Sequence, residues 1–214
     1  MKDKKKMVVW LVSHCLTNNN RMAYAHELSK YIQMFYDTIF EKIFSQEFYA
    51  FCEKCRLTRY LSEVDIFGAC GIRSLGKKES HQMIRDHYKF YLAFENSNCH
   101  QYITEKFWIN ALRNNAIPIV MGAPKIDYVK VAPPHSFIHV DDYSPRQLAR
   151  FLSYLDQNTT AYNEYFEWKS FGRVVESDFY CRLCDLVQSP PTKTYANLDV
   201  WWKGNGDCQK YSKE

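Results

Sequence analysis

The segment of residues 90–112 constrains the fold of this chain more than any other part of the sequence. Its apolar, aromatic-rich start ends abruptly at Glu95, and a short polar loop leads to Tyr102. Apolar residues then recur at helical spacing, which predicts a strand, a loop and a helix whose first turn carries Glu105 and Lys106. In open α/β sheets, ligands bind at the carboxyl ends of strands, beside helix N-termini that favour anions. The segment therefore predicts a site for a phosphorylated ligand.

Apolar runs and helical patterns alternate along the rest of the chain. Ser144 followed by Pro145 is typical of a helix start, with a capping hydroxyl and a proline in the first turn. Strands that alternate with helices predict an α/β fold with a Rossmann-like parallel sheet flanked by helices. The 214 residues suffice for a single domain of this kind. Beyond residues 90–94, the predicted strands cover residues 7–13, 64–68, 116–122 and 136–142, and the predicted helices cover residues 23–32, 146–155 and 160–171.

Residues 90–112 resemble the donor-binding motif of the α1,3/4-fucosyltransferases, glycosyltransferase family 10. That motif reads F-x-F-E-N-S, then D-Y-I-T-E-K-F/L-W-x-N-A-L after a few residues. This chain departs from it at Gln101, where many members carry Asp. Residues 64–68 resemble the family's V-D-x-F/Y-G, and residues 195–202 resemble its terminal Y-x-D-L-x-x-W-W segment. The resemblance covers residues 7–32 and 64–208. Residues 1–214 are expected to form a single GDP-fucose-binding domain, in which about residues 33–63 are an atypical insertion.

The resemblance implies the C-terminal, donor-binding lobe of a two-lobed GT-B enzyme. Such an enzyme transfers L-fucose from GDP-fucose to a GlcNAc hydroxyl of glycoprotein or glycolipid glycans, in α1,3 linkage and with inversion. It requires no catalytic metal and no further cofactor. A truncated, catalytically inactive sugar-nucleotide-binding module is the alternative, because the insertion interrupts the family pattern. An unrelated Rossmann-type nucleotide binder is disfavoured, since the sequence contains neither G-x-G-x-x-G nor a P-loop motif.

Two basic residues are expected to hold the diphosphate of the donor. Arg21 falls where the family carries an early helix arginine, and its fork matches two phosphate oxygens. Lys106 supplies a point charge beside a helix N-terminus. Without the resemblance, Arg21 would be read as a loop charge and Lys106 as a solvated helix residue.

Four further residues are expected at the donor site. Glu105 could accept hydrogen bonds from a ribose or fucose diol, or could simply favour the first helical turn. Asn96 and Tyr102 match family positions that line the donor site and orient the nucleotide, although Asn96 could also cap a turn. Glu95, at the strand end, could orient the loop or contact the sugar.

The resemblance places the general base in the N-terminal, acceptor-binding lobe, so no catalytic residue is identified in this chain. That lobe, the stem and the membrane anchor of a type II Golgi enzyme are not recognisable here, and no window approaches the ~18 apolar residues of a transmembrane helix. The resemblance implies a location on the lumenal side of the Golgi membrane, reached through an anchor outside this chain. The partners it implies are GDP-fucose and a glycan acceptor.

Eight cysteines include two C-x-x-C pairs, one at Cys52 and Cys55 and one at Cys181 and Cys184. The pairs alone leave open a four-thiolate zinc site, local disulfides or buried thiols. The family resemblance favours a disulfide role for Cys181 and Cys184. Asn158 opens a glycosylation sequon, usable if the chain enters the secretory pathway.

Charge and metal-ligand spacing exclude two other kinds of site. The net charge of +4 is mild, and nucleic-acid binding is not expected from one short lysine run near the start of the chain. Asp141 and Asp142 are adjacent, so on a strand their side chains would point to opposite faces. The histidines show no ligand spacing, and no metal site is expected.

Overall fold

A five-stranded parallel sheet forms the centre of the protein. The structure is a computed structural model that describes residues 4–43, 64–175, 179–190, 192, 194–203 and 208–209. The strands are β1 (Lys6–Leu11), β2 (Val64–Phe67), β3 (Tyr88–Phe94), β4 (Asn98–Cys99), β5 (Ile117–Met121), β6 (Ile138–His139) and β7 (Cys208–Gln209). The parallel sheet has the order β2-β1-β3-β5-β6, while β4 and β7 form a separate antiparallel pair.

Helices follow most of the strands. They are α1 (Arg21–Ile43), α2 (Lys77–His87), α3 (Lys125–Val131), α4 (Pro145–Gln157), α5 (Thr159–Glu164), α6 (Phe179–Gln188) and α7 (Leu198–Lys203). A π-helix spans Lys106–Ala111 and runs directly into a 3-10 turn at Leu112–Asn114. Two more 3-10 turns lie at Val140–Asp142 and Glu167–Ser170.

The sheet is covered on both faces, which explains why its strands are continuous apolar runs. Leu28 of α1 and Leu152 of α4 are fully buried in the cluster on one face. Ile84 of α2 and Phe107 of the π-helix are fully buried in the cluster on the other face. Each such side chain contributes about 1.5–3 kcal/mol on leaving water. This three-layer packing confirms the predicted α/β fold with a parallel sheet flanked by helices.

Most predicted elements are present, with shifted ends. The strand predicted at residues 136–142 is shorter, because a 3-10 turn replaces its second half. The helix predicted at residues 160–171 ends at Glu164, and another 3-10 turn follows. Ser144 caps α4 as predicted, through a capping box in which it accepts from the backbone N–H of Gln147. Helices α2 and α3 were not predicted from the sequence.

The predicted insertion at residues 33–63 begins inside a helix. Helix α1 continues to Ile43, well beyond the end predicted at residue 32. Residues 44–63, including Cys52 and Cys55, lie outside the described residues. The first third of the supposed insertion is therefore an extension of α1.

The order of the strands places a crevice between β1 and β3. From β1 the chain crosses to β2 on one side, and then returns to β3 on the other side. Neighbouring parallel strands whose connections leave in opposite directions open a gap between their following loops, and α/β proteins bind ligands in that gap. The loops after β1 and β3 therefore frame the first place to look for a site.

Two disulfides join loops that are distant in sequence. Cys15 pairs with Cys70, linking the loops after β1 and β2, and Cys99 pairs with Cys208, linking β4 to β7. The predicted disulfide role of Cys181 and Cys184 is not matched, because both are exposed thiols on α6. That role was inferred from the family resemblance, since the C-x-x-C spacing alone had left a zinc site, local disulfides and buried thiols open.

Candidate functional site

A buried carboxylate organises the end of β3. Glu95 follows the strand directly and is completely buried. Its Oε1 accepts hydrogen bonds from the backbone N–H of Thr104, at 2.8 Å, and from the Thr104 hydroxyl, also at 2.8 Å. Its Oε2 lies 2.8 Å from Nζ of Lys106. Glu95 thus fixes the loop that leads into the π-helix, which is the first of the two roles considered for it.

Lys106 is held in place by this carboxylate. Its Nζ also donates to the Thr104 hydroxyl at 2.8 Å, and its side chain keeps 15% of its surface exposed. Burial alone would lower the pKa of Lys106, but the hydrogen bond and the charge of Glu95 outweigh it and raise that pKa above its usual range. Lys106 is therefore a fixed ammonium ion. Two of its three donors form short bonds, and the third makes a longer, 3.5 Å contact with Glu105 that a ligand could replace.

Glu105 lies on the open side of this pair. Its carboxylate is 3.5 Å from Nζ of Lys106 and remains 61% exposed. A weak, exposed ion pair of this kind contributes little to stability. The carboxylate can consequently turn towards hydroxyl groups at no great cost to the fold.

Tyr102 shows how closely the predicted residues lie to one another. Burial raises the pKa of its phenol, the charges of Glu95 and Glu105 raise it further, and Lys106 and Arg21 oppose the increase. These electrostatic contacts place Tyr102 within one polar cluster with the other four. Because the phenol keeps its proton, its O–H can donate a hydrogen bond to a ligand.

Arg21 belongs to the same strand edge, but its guanidinium group is turned inward. Only 1% of Arg21 is exposed. Its Nη1 donates to the Phe94 carbonyl at 3.0 Å and its Nη2 to the His14 carbonyl at 2.5 Å, while the group lies over the ring of Trp10. Burial lowers its pKa, opposed by the charge of Glu95. As placed, Arg21 braces the strand ends, and its contact with a diphosphate stays a prediction.

Asn96 completes the set of predicted donor residues. It follows Glu95 in the loop after β3 and is half-buried. Gly122, at the end of the neighbouring strand β5, lies against the side chain of Glu95. Four of the six predicted residues therefore keep part of their surface exposed near the end of β3, whereas Glu95 and Arg21 are buried there.

Sequence reasoning missed two residues of this cluster. Asn19 is buried, and its Nδ2 donates to the Glu95 carbonyl at 2.9 Å and to Oδ1 of Asn98 at 3.1 Å, so it bridges the crevice between β1 and β3. Thr104 shares its hydroxyl between Glu95 and Lys106. Thr104 lies within the recognised motif and could have been named from it, whereas Asn19 was only one of several polar residues in its loop.

Asn158 of the predicted glycosylation sequon has a structural role in the fold. Its Oδ1 accepts from the backbone N–H of Ala161 and thereby caps α5, and its Nδ2 donates to the Tyr154 hydroxyl at 3.0 Å. A glycan on Nδ2 would take one of its two N–H groups and leave the other for the bond to Tyr154.

Asp141 and Asp142, from which no metal site was expected, have different partners in the structure. Asp142 forms an ion pair with Lys125 at 2.6 Å, while Asp141 lies 3.5 Å from Nδ1 of His139. Within the described ranges, no three His, Cys, Asp or Glu residues gather as metal ligands would. None of the described helices is long and apolar enough to cross a membrane.

Comparison with known proteins identifies the family. The model of glycosyltransferase family 10 (fucosyltransferase), C-terminal domain, matches residues 1–56 and 54–201. Glycoprotein 3-alpha-L-fucosyltransferase A of Drosophila melanogaster is 41% identical over 96% of this chain and 37% of its own length. Alpha-(1,3)-fucosyltransferase 4 of Homo sapiens is 34% identical over 94% of this chain and 33% of its own length.

Solved structures share the fold. A crystal structure of an alpha1,3-fucosyltransferase with GDP-fucose matches 91% of this chain and 50% of its own, with a TM-score of 0.57 and 18% identity. A second, with GDP, matches 81% of this chain and 40% of its own, with a TM-score of 0.53 and 22% identity. The chain thus spans between a third and a half of the proteins it matches. On these matches, the chain belongs to glycosyltransferase family 10, the fucosyltransferases.

Proposed function

We propose that residues 1–214 form the GDP-fucose-binding part of an inverting α1,3-fucosyltransferase, which transfers L-fucose to a GlcNAc hydroxyl of glycoprotein or glycolipid glycans. The observation that carries this proposal is the Lys106 ammonium group, held at the strand-end crevice by Glu95 and Thr104. The relatives' names support the activity, and the titles of the similar crystal structures name GDP and GDP-fucose as bound molecules.

Lys106 would stabilise the departing diphosphate. Cleavage of the fucose–phosphate bond passes through an oxocarbenium-like state and leaves negative charge on the diphosphate. A cation fixed before the reaction stabilises that charge without reorganising at the moment of cleavage. Glu95 and Thr104 provide this fixation, and the third contact of Lys106, with the exposed carboxylate of Glu105, is the longest of the three.

The remaining cluster residues would orient the sugar nucleotide. The exposed carboxylate of Glu105 suits a pair of neighbouring hydroxyls, as found on ribose and on fucose. Tyr102 and Asn96, half-buried beside it, would fix the donor's position with a hydroxyl and an amide. Arg21 would act indirectly, by holding the carbonyl ends of the loops that follow β1 and β3.

The reaction also needs a general base and a bound acceptor. No motif in this chain identifies the base or the residues that bind the acceptor. An acceptor hydroxyl must lose its proton as it attacks the anomeric carbon from the side opposite the leaving diphosphate. We assign the base and most acceptor contacts to an N-terminal lobe of the whole protein. We further propose a metal-independent and cofactor-independent transfer, on the lumenal side of the Golgi membrane. The two disulfides fit an oxidising compartment.

The alternative of an inactive sugar-nucleotide-binding module is not favoured. Relatives with 30–41% identity over most of this chain carry transferase names. The part of the supposed insertion that is described, up to Ile43, continues helix α1.

Calorimetric titration of the purified chain with GDP-fucose and with GDP tests the proposal. Saturable binding is expected, and Lys106→Ala should weaken it by about 1.5–3 kcal/mol, the range for a hydrogen bond to a charged group. Lys125→Ala is the matched control, since Lys125 is an exposed lysine that starts the helix after β5 and pairs with Asp142. Equal losses in both variants, or no binding by a folded sample, would refute the donor-site assignment.

A further inference from the structure

A second concave surface lies away from the Glu95 cluster. It runs between helix α2 and the 3-10 turn after the π-helix and has a volume of about 580 Å³. Pockets of this size accept small organic ligands. We call it the basic groove; its lining residues are Lys77, Lys78, His81, Arg85, Arg113 and Asn114.

The lining of the basic groove carries no acidic side chain. The two carboxylates of α2, Glu79 and Asp86, line an adjoining groove that shares Lys77 and Lys78 with the basic groove. Glu79 is further occupied by Arg73, whose Nη2 donates to it at 2.5 Å. The basic groove itself is therefore lined by basic and neutral side chains alone.

His81 lines the basic groove and is affected by its positive charges. It lies at the centre of the groove, with its Nε2 3.3 Å from Oδ1 of Asn110. Burial lowers the pKa of His81, and the positive charges of Lys77, Arg113 and Arg85 lower it further against the effect of the Asn110 contact. Three cations that all act on one half-buried ring show that their fields overlap inside the cavity.

The spacing of the basic residues is regular. Residues 77, 81 and 85 recur every four positions and so share one face of α2. Arg113 projects from the opposite wall, and Arg85 joins the two walls through a 3.4 Å contact with Oδ1 of Asn114. Arginine forks and lysine ammonium groups together suit tetrahedral oxyanions, which offer several acceptor oxygens to each fork.

We propose that the basic groove binds a sulfated saccharide. The cavity has room for a small oligosaccharide, and its cations are spread along two walls instead of being focused on one point. The disulfides Cys15–Cys70 and Cys99–Cys208 indicate an oxidising compartment, which is where sulfated glycans occur and where nucleic acids do not. None of the lining residues belongs to the Glu95 cluster, so this site is separate from the donor site.

Titration with a heparin-derived tetrasaccharide tests the inference. Lys77→Ala/Lys78→Ala, which changes two exposed side chains, should weaken binding at least about five-fold. Lys5→Ala/Lys30→Ala removes the same charge from two exposed lysines elsewhere and should change it less than about two-fold. The His81 ring-proton resonance, assigned with His81→Ala, should move on titration in the unmodified chain.

Three results would overturn the inference. The first is equal weakening by both lysine pairs, which would mean diffuse charge attraction. The second is equal binding of a desulfated tetrasaccharide. The third is tighter binding of tripolyphosphate or of phosphatidylserine vesicles than of the tetrasaccharide, which would point to a phosphate ligand. GDP binding by Lys77→Ala/Lys78→Ala should remain unchanged, which separates this inference from the donor-site proposal.

Discussion

Gly122 packs directly against Glu95. A Cβ at position 122 would lie 2.7 Å from Cβ and 2.8 Å from Cγ of Glu95, and Gly122 has φ +150°. Real Cβ atoms do not approach so closely, and side-chain-bearing residues rarely adopt that backbone angle. The position of the carboxylate that holds Lys106 therefore depends on a glycine from the neighbouring strand.

Gly122→Ala should destabilise the protein and weaken donor binding together. The added methyl group must displace Glu95 and strain the backbone, at a combined cost of about 2–4 kcal/mol in the free energy of unfolding. Urea denaturation and GDP calorimetry measure the two effects. Gly76→Ala is the control, because a Cβ there would meet nothing within 4 Å, and it should stay within about 0.5 kcal/mol. An unchanged GDP affinity in Gly122→Ala would contradict the supporting role of Glu95.

Glu95→Gln should lower stability much more than Glu105→Gln. The first change leaves the Lys106 ammonium group without its buried counter-ion, which should lower the free energy of unfolding by about 2–3 kcal/mol. The second removes a carboxylate that is 61% exposed, and its effect should stay within about 0.5 kcal/mol. Urea denaturation of both variants at pH 7 measures the difference. Similar losses of unfolding free energy in the two variants would mean that the buried Glu95–Lys106 ion pair contributes no more to stability than an exposed carboxylate.

The main sheet could be predicted from sequence because its strands are buried on both faces. Such strands are short, continuous apolar runs that end at polar loops, as at Phe94 and Glu95. The strand end at Glu95 predicted the place of a ligand site, but the individual donor-site candidates came from the resemblance of residues 90–112 to the family motif. Helices α2 and α3 were not predicted because most of their residues are polar or exposed, which leaves only a weak apolar stripe in the sequence.

Pairings between distant residues could not be predicted. Cys99 and Cys208 are 109 positions apart, and only the antiparallel pairing of β4 with β7 brings them together. The inward turn of Arg21 depends likewise on carbonyl groups of His14 and Phe94, whose positions are set by the folded sheet. Local patterns carry no information on such contacts, because different folds could satisfy the same residues in other ways.

Among the described cysteines, the pairs that form disulfides should contribute most to stability. Cys15→Ser/Cys70→Ser opens a link between residues 55 positions apart and should lower the free energy of unfolding by about 2–4 kcal/mol. Cys181→Ser/Cys184→Ser alters two exposed thiols and should change it by less than about 0.5 kcal/mol. Alkylation without reductant, followed by mass spectrometry, should label Cys181 and Cys184 but not Cys15 or Cys70. Labelling in the reverse pattern would contradict the observed pairing.

Stability should increase with pH above neutrality because of Lys4. Its Nζ is buried and donates to the carbonyls of Tyr88, at 2.7 Å, and Asn115, at 2.5 Å. Burial and the nearby Lys169 lower the pKa of Lys4 to about 7, with Asp86 opposing. Since the unfolded chain keeps this proton up to a pKa of 10.5, unfolding takes up a proton between these two values. Stability then rises with pH in that window and falls as pH drops towards 7.

Urea denaturation at pH 7.0 and 8.5 measures this effect. The unmodified chain should gain about 1–1.5 kcal/mol in the free energy of unfolding over that interval relative to Lys4→Met, which has no amine to titrate. Comparison with the variant cancels the histidine and thiol groups that titrate over the same range. Lys30→Met, which changes an exposed lysine of α1, should keep the full pH dependence. Parallel pH profiles for the unmodified chain and Lys4→Met would show that Lys4 remains charged inside the fold, held by the carbonyls around it.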